Sequence, residues 1–548
     1  MKYKVLLSFA VAAATLVTGC VKETFPTSGA TTEQVSASAS ALAGTVNAIP
    51  AQMVQWYLVY GEQDWEFDMA YPGMMIIRDS VTGEIVDAGE TGYDWFSYWS
   101  GCNYALGPNT SRAYVPWRTY YMFVKSANNI IAAVDPETAT AAQLVYLGGA
   151  KAYRALFYLD MVRMYEYKAP TDPAVDAAYK PEKDVTGLSV PIVTEKTTQE
   201  QAKNNPRATV DDVYKLIFSD LDDAEKYLAG QPSKTSLAPT PAVVAGLKAR
   251  AYLERGSAGV AGAFDSAYKY ADKALTAFAG KPLTKELWQN PKTGFNNADA
   301  NSTSWMWYIG YSDSNLGNLA NFNNHMAPEC AWSSYSWAVM RGIPKYLYES
   351  IPESDFRKYS FLDPDMMDYY EYQVNRPIDD PDKKPMKPYT NIKFRPAQGN
   401  CDTYKVGGAS DVPLMRMEEI TLIKAEAQAM KGDLDGAKTT LATFVKTRNP
   451  LYDCSGISST AAFQDEIYLQ KRIELWGEGL IYFDAKRLAK GMRNGYPNTN
   501  AQVGYRFNCT GVVPHWNFCI PQSEIEGNPA LKDWNNPEPA KSLKEWTE

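Results

Sequence analysis

Histidine is almost missing from this sequence: 548 residues hold two, His325 and His515. With no CxxC pair and no HExxH helix beside them, a zinc centre has no ligand set. GxSxG elbows and Walker-type Gly-Lys-Ser/Thr loops are missing too, which removes the common hydrolase and nucleotide-binding signatures. Acid pairs such as Glu66 and Asp68 occur, but their spacing in sequence does not supply the facing geometry that glycoside hydrolysis requires. The reading is of a chain that is not an enzyme and has no cofactor and no metal. Lys and Arg are not clustered and the net charge is -9, so no nucleic-acid partner is expected. Beyond the first twenty residues no apolar run is long enough to cross a bilayer.

Cysteine is sparse as well, at seven. That density excludes a disulfide-dense scaffold. Cys102, Cys330, Cys401, Cys454, Cys509 and Cys519 have no readable connectivity, with a local Cys509–Cys519 bridge the preferred pairing. Cys20 is set apart by its context. Lys2 and Lys4 precede an apolar stretch over residues 5–17, and Val17-Thr18-Gly19-Cys20 closes it with small residues. This lipobox pattern predicts a lipoprotein signal peptide at 1–19, acylation at Cys20 and a lipidated tether over 20–30. Two or more acyl chains hold a protein on a membrane where one holds it marginally.

What the chain has in excess is aromatic rings: 14 Trp and 37 Tyr, within 13% aromatic residues. They gather where helical period fades. From Tyr60 to Arg118 lie Trp65, Tyr71, Trp95, Phe96, Tyr98, Trp99, Tyr114 and Trp117. Between 281 and 412 lie Trp305, Trp307, Tyr308, Tyr311, Trp332, Tyr335 and Trp337, and long structureless insertions of this kind are usually functional. Elsewhere helical period is clear. A helix is predicted after Thr31-x-x-Gln34, kinked or split by Pro50. Further helices are predicted over 117–134, 141–167, 210–228, 242–254 and 264–278, then 420–430, 434–448 and 461–490. The pairs at 242–278 and 420–448 have the Ala/Tyr/Leu spacing of tetratricopeptide-like hairpins. The fold class is mostly α: a tetratricopeptide-like helical-repeat scaffold with a large irregular, aromatic-rich insertion. One domain is expected over 31–548, with repeats at about 31–60, 113–280 and 413–490 and ligand-binding regions at about 60–118 and 281–412.

Four pieces of the chain resemble the SusD/RagB-like outer-membrane lipoproteins of Bacteroidetes. Arg416-Met417-Glu418-Glu419, continuing to Ala425-Glu426-Ala427 and Gly432, resembles the family's Arg-x-Ala-Glu helix. Arg472-Ile473-Glu474-Leu475, Glu478-Gly479 and Phe483-Asp484 to Arg487 are similar to its second charged helix. Ile520-Pro521, Glu524-Ile525 and Asn528-Pro529 resemble its C-terminal signature, and the lipobox fits its start. Two positions depart from the pattern: Glu418 stands where Ala is usual, and Leu480-Ile481 where Arg is usual, which puts one ion pair in doubt. On residues alone, the acids of both helices form a packing or solvated face rather than catalytic groups.

The resemblance implies a glycan ligand, a SusC-like TonB-dependent transporter as partner, and attachment to the outer membrane through the lipid, facing the cell exterior. Lys22 and Glu23 resemble the charged signal that sends such lipoproteins to the surface. A sugar presents C–H groups that lie on aromatic faces and hydroxyls that need polar partners. The expected platform joins Trp95, Tyr98 and Trp99 to Trp305, Trp307, Trp332, Tyr335 and Trp337. Its polar candidates are Arg78, Asp79, Asn103, Asn323 and Asn324. The reading is capture of an oligosaccharide or polysaccharide for delivery to the transporter. The alternatives are uptake of peptide or protein by the same fold and, third, glycoside hydrolysis.

Overall fold

The computed structural model describes residues 39–61, 65–87, 95–101, 106–317, 321–371 and 373–548. The signal peptide, Cys20, the tether, the Thr31 capping box and Asn103 lie outside the described residues.

Twelve helices and six short strands carry the argument. Helix α1 spans Ala39–Met53, α2 Ala70–Thr82 and α3 Ser97–Ser100, with strand β1 at Val86–Asp87 between the last two. Next come α4 at Ser111–Ala133, α5 at Ala141–Tyr165, α6 at Val210–Tyr227, α7 at Pro241–Ser257 and α8 at Ala263–Phe278. Strands β2 (Trp305–Gly310), β3 (Arg341–Gly342) and β4 (Asp411–Arg416) precede α9 (Met417–Met430), α10 (Leu434–Val445), α11 (Thr460–Glu474) and α12 (Ile481–Arg487). Strands β5 (Met492–Arg493) and β6 (Asn508–Cys509) complete the set.

The helices stack largely in chain order: α4 on α5, α5 on α6, α7 on α8, α8 on α9 and α9 on α10. Local sequence starts them. Thr140 and Gln143 form a capping box at α5, Thr209 caps α6, and Thr240 with Pro241 opens α7. Small residues let them close up. Gly148 of α5 lies against Tyr227 and Leu228, and Gly256 of α7 lies under the ring of Phe264, so a Cβ there would meet atoms at 3.0 and 2.6 Å. Ala263, Ala267, Ala271 and Ala274 give α8 a narrow buried face of helical period. One hydrophobic core runs through this stack from Ile49 to Leu543.

Three elements differ from expectation. The first helix runs through Pro50 and ends at Met53. Residues 70–82, read as irregular, form α2. Every residue of α2 is buried, and Pro72 and Gly73 in its first turn read as breakers in the sequence. The single helix predicted over 461–490 is two, parted at Gly477 and Gly479, whose φ angles of +77° and +69° suit glycine. Gly479 is also needed for space, because a Cβ would sit 2.6 Å from Met75 Cα in α2. Likewise Cys509 and Cys519 are not bridged. The Cys509 thiol donates toward the Val512 carbonyl and the Cys519 thiol toward that of Asn536.

The charged motifs form the centre of the scaffold. Arg416, at the end of β4, makes a bidentate pair with Glu478 at 2.8 and 2.9 Å and reaches Glu474 and Glu418 at 3.1 Å. Arg448 bonds Glu418 and Glu474, Arg357 bonds Glu474 and Asp355, and Lys393 bonds Glu478. All are buried. A second knot ties Lys471 and Arg487 to Glu426 and Asp484. Despite burial, the surrounding guanidinium groups hold the Glu474 carboxyl well below the usual carboxylate range. The acids of the first knot are packed within the scaffold, while Asp484 of the second lines a small cleft with Lys471 and Arg487. Glu418, the departure from the family pattern, adds a carboxylate that both Arg416 and Arg448 use.

Candidate functional site

Burial sorts the predicted ring platform into two groups. Trp305 and Trp307 lie on β2, which pairs antiparallel with β4, and irregular register around Trp307 keeps both rings inward. Both are fully buried, Trp307 donating its indole N–H to the Leu237 carbonyl at 2.8 Å and packing 5.2 Å from Tyr153. Trp99 is buried edge-on to Phe67 at 5.1 Å. These three rings are core and offer no face to a ligand.

The polar candidates are also committed elsewhere. Arg78 donates to the Gly479 carbonyl at 2.8 Å, to the Tyr120 hydroxyl at 2.7 Å and to Asp160 at 3.0 Å. Asp79 accepts the Gly479 N–H at 2.9 Å. Both side chains are buried at the joint between α2 and the α11–α12 turn, where burial pushes the Asp79 carboxyl up to about 8. Asn323 donates to the carbonyls of Gly407 and Arg395, and Asn324 accepts the Trp332 indole N–H. The two asparagines thus fix loops from beneath; they do not rim a ligand.

Trp95, Tyr98, Trp332 and Trp337 remain half-exposed, and Tyr335 is nearly buried. The fold brings their two loops together. Phe96 meets the His325 ring edge-on at 5.2 Å, and His325 stacks on Tyr335 at 5.1 Å with ring planes 12° apart. Burial between these rings, with Arg341 alongside, pushes the His325 imidazole well below the usual range.

Around Trp95 lies a layer of rings that the sequence did not single out as a site. Tyr60 stacks on Trp65 at 5.7 Å and lies 5.8 Å from Tyr114, while Trp65 meets Trp95 at 6.0 Å. The Arg112 guanidinium sits 3.8 Å from the centre of the Tyr98 ring and 5.8 Å from that of Trp65. All six side chains are half-exposed. The missed signal was Arg112-x-Tyr114 at the start of α4, one turn of helix that faces the Trp65 loop.

Two buried acids hold this layer from below. Asp68 accepts the N–H groups of Val59 and Tyr60, both at 2.9 Å, which sets the turn that presents Tyr60. Burial nonetheless raises its carboxyl to about 6. Glu66 accepts the Tyr57 hydroxyl at 2.9 Å, and Tyr335 bonds it from the other loop. Burial is the larger influence on Glu66 and raises it as well. Both carboxylates are spent on the scaffold beneath the rings. Among the described residues no group of three His, Cys, Asp or Glu side chains is placed to hold a metal ion. The arrangement can stack planar or C–H-rich faces and bond hydroxyls at its edge.

The model of the SusD family matches residues 322–538, and a second family model, starch-binding associating with outer membrane, matches residues 79–253. The chain belongs to the SusD/RagB-like family. A SusD-like protein of Formosa agariphila is 21% identical over 426 residues, which is 71% of this chain and 75% of that protein. Among solved SusD-like structures, a SusD-like carbohydrate binding protein from Bacteroides vulgatus superposes with a TM-score of 0.68 at 19% identity, covering 90% of this chain and 98% of its own. Surface glycan-binding protein A from Bacteroides thetaiotaomicron, solved with laminarihexaose, gives 0.64 at 17% identity, covering 91% of this chain and 99% of its own. These likenesses fix the SusD fold. No helix among the described residues is long and apolar enough to cross a membrane.

Proposed function

We propose that this SusD-like chain is a glycan-binding lipoprotein, acylated at Cys20 and held at the outer membrane, that captures an oligosaccharide or polysaccharide and passes it to a TonB-dependent transporter without chemical change. Residues 20–30 serve as its tether. One observation supports the reading most: the half-exposed layer of Tyr60, Trp65, Trp95, Tyr98 and Tyr114, backed by acids already bonded to the scaffold. Partly exposed rings gathered in one layer suit the C–H faces of sugar rings. The neighbour solved with laminarihexaose makes a β-glucan a reasonable first ligand to try.

The ligand-contact assignment moves accordingly to Tyr60, Trp65, Trp95, Tyr98 and Arg112, with Trp332 and Trp337 on the adjoining loop. Affinity gels loaded with separate polysaccharides test it. Retardation by at least one polysaccharide, without release of reducing ends, supports the reading; no retardation together with binding of peptides would replace it with peptide uptake. Release of reducing ends would restore hydrolysis.

A further inference from the structure

Helix α2 leads away from the aromatic layer, and over its 13 residues it spans about 20 Å. At its far end Thr82 and Glu84 line a half-open cleft of about 870 Å³, closed on the other sides by Arg472, the β5–β6 ribbon and Trp546.

The charges in its wall are unevenly spent. Glu84 takes the Arg472 Nε–H at 2.7 Å, and Arg472 also donates to the Tyr346 hydroxyl at 2.6 Å. Asp172 accepts the Thr510 backbone N–H at 2.6 Å and the Thr510 hydroxyl at 2.9 Å. Lys490 is paired with Asp465. Arg493 is the exception, because no carboxylate lies within salt-bridge distance of it among the described residues. Its guanidinium instead lies over an aromatic corner, 5.7 Å from the ring centre of Tyr346 and 5.3 Å from that of Tyr496. Those two rings stand perpendicular, 5.7 Å apart. At the floor, the second carboxylate oxygen of Glu84 is buried and has no donor among the described residues.

We infer that this cleft is a second ligand site, separate from the aromatic layer, and that it takes a sugar unit carrying a carboxylate. A guanidinium offers a planar fork that matches a carboxylate, and the Tyr346–Tyr496 corner offers faces for sugar C–H groups. Glu84 is held by Arg472 and closed off from solvent, which leaves Arg493 as the cation available to an acidic group.

The test uses the Trp65→Ala/Trp95→Ala double variant of the full lipid-free chain, so that failure of the aromatic-layer reading leaves it intact. Calorimetry follows binding of uronate trisaccharides of several linkages, and of the same sugars with each carboxyl reduced to CH2OH. At least one uronate trisaccharide binds at one per chain. Carboxyl reduction, Arg493→Gln and Tyr496→Ala each weaken it about tenfold or more, Arg493→Lys restores part of the loss, and melting is unchanged. Three results would overturn the assignment: no uronate bound, equal binding by Arg493→Gln, or tighter binding of an acidic tripeptide than of any uronate.

Discussion

Trp305 and Trp307 on β2 and Trp65 and Trp95 beside α4 are the same residue type in similarly aromatic stretches, yet only the second pair meets solvent. The difference lies in what stands behind and above each ring. Strand β2 is covered on its open side by α1 and paired along its edge with β4, so both indoles are enclosed. The Trp65 loop is held from below, by Asp68 on the turn at 59–60 and by Glu66 on two tyrosines. Tyr60 and Arg112 pack on the Trp65 ring and still leave it partly exposed. Aromatic density thus marks where rings gather, and long-range packing decides which of them are surface.

The largest effects are expected where the scaffold is breached. Glu474→Ala takes one carboxylate partner from each of three buried guanidinium groups, Arg357, Arg416 and Arg448, and should cost about 3–5 kcal/mol in urea unfolding. Trp307→Ala leaves a cavity and takes away one of the two donors to the Leu237 carbonyl, the other being the Tyr153 hydroxyl, with an expected loss of about 3–5 kcal/mol and no selective loss of binding in whatever remains folded. Trp65→Ala/Trp95→Ala should do the reverse, lowering affinity for a retained glycan about tenfold or more while shifting the melting temperature little.

A smaller effect is the pH dependence of stability at α2, outside both groups of rings. The Asp79 carboxyl, at about 8 in the folded chain against 3.8 ordinarily, is protonated in the fold over a range where the unfolded chain has lost its proton. Its contribution to stability is therefore full below about 3.8 and falls as pH rises through about 8. Asp79→Asn removes that loss, so the variant should gain on the parent at pH 9 and match it near pH 4 in thermal melts. His515 acts in the opposite direction. Burial takes it from 6.5 to about 3, so its contribution is full above 6.5 and is lost as pH falls toward 3.

The repeat helices were legible as long runs free of breakers, two of them opened by a capping threonine. The stretches at 141–167, 210–228 and 264–278 became Ala141–Tyr165, Val210–Tyr227 and Ala263–Phe278. Helix α2 was not, since it is short and holds Pro72 and Gly73 in its first turn. The motif acids form buried ion pairs, a depth hidden in the sequence: Glu474 and Glu478 are neighbours of Arg416 only after β4 and α11 meet. The site was legible as a region and not as residues. Trp95 stands before α3 and Trp99 within it, and although both rings approach Phe67 only Trp99 is buried.

The central claim is that the rings divide into core and binding face, and one paired measurement tests it most directly. Calorimetric titration with a polysaccharide retained on the gels, and thermal melting, are run on Trp65→Ala/Trp95→Ala and on the parent chain. The account predicts affinity reduced about tenfold or more with the melt preserved. Parental affinity in a folded double variant would contradict it.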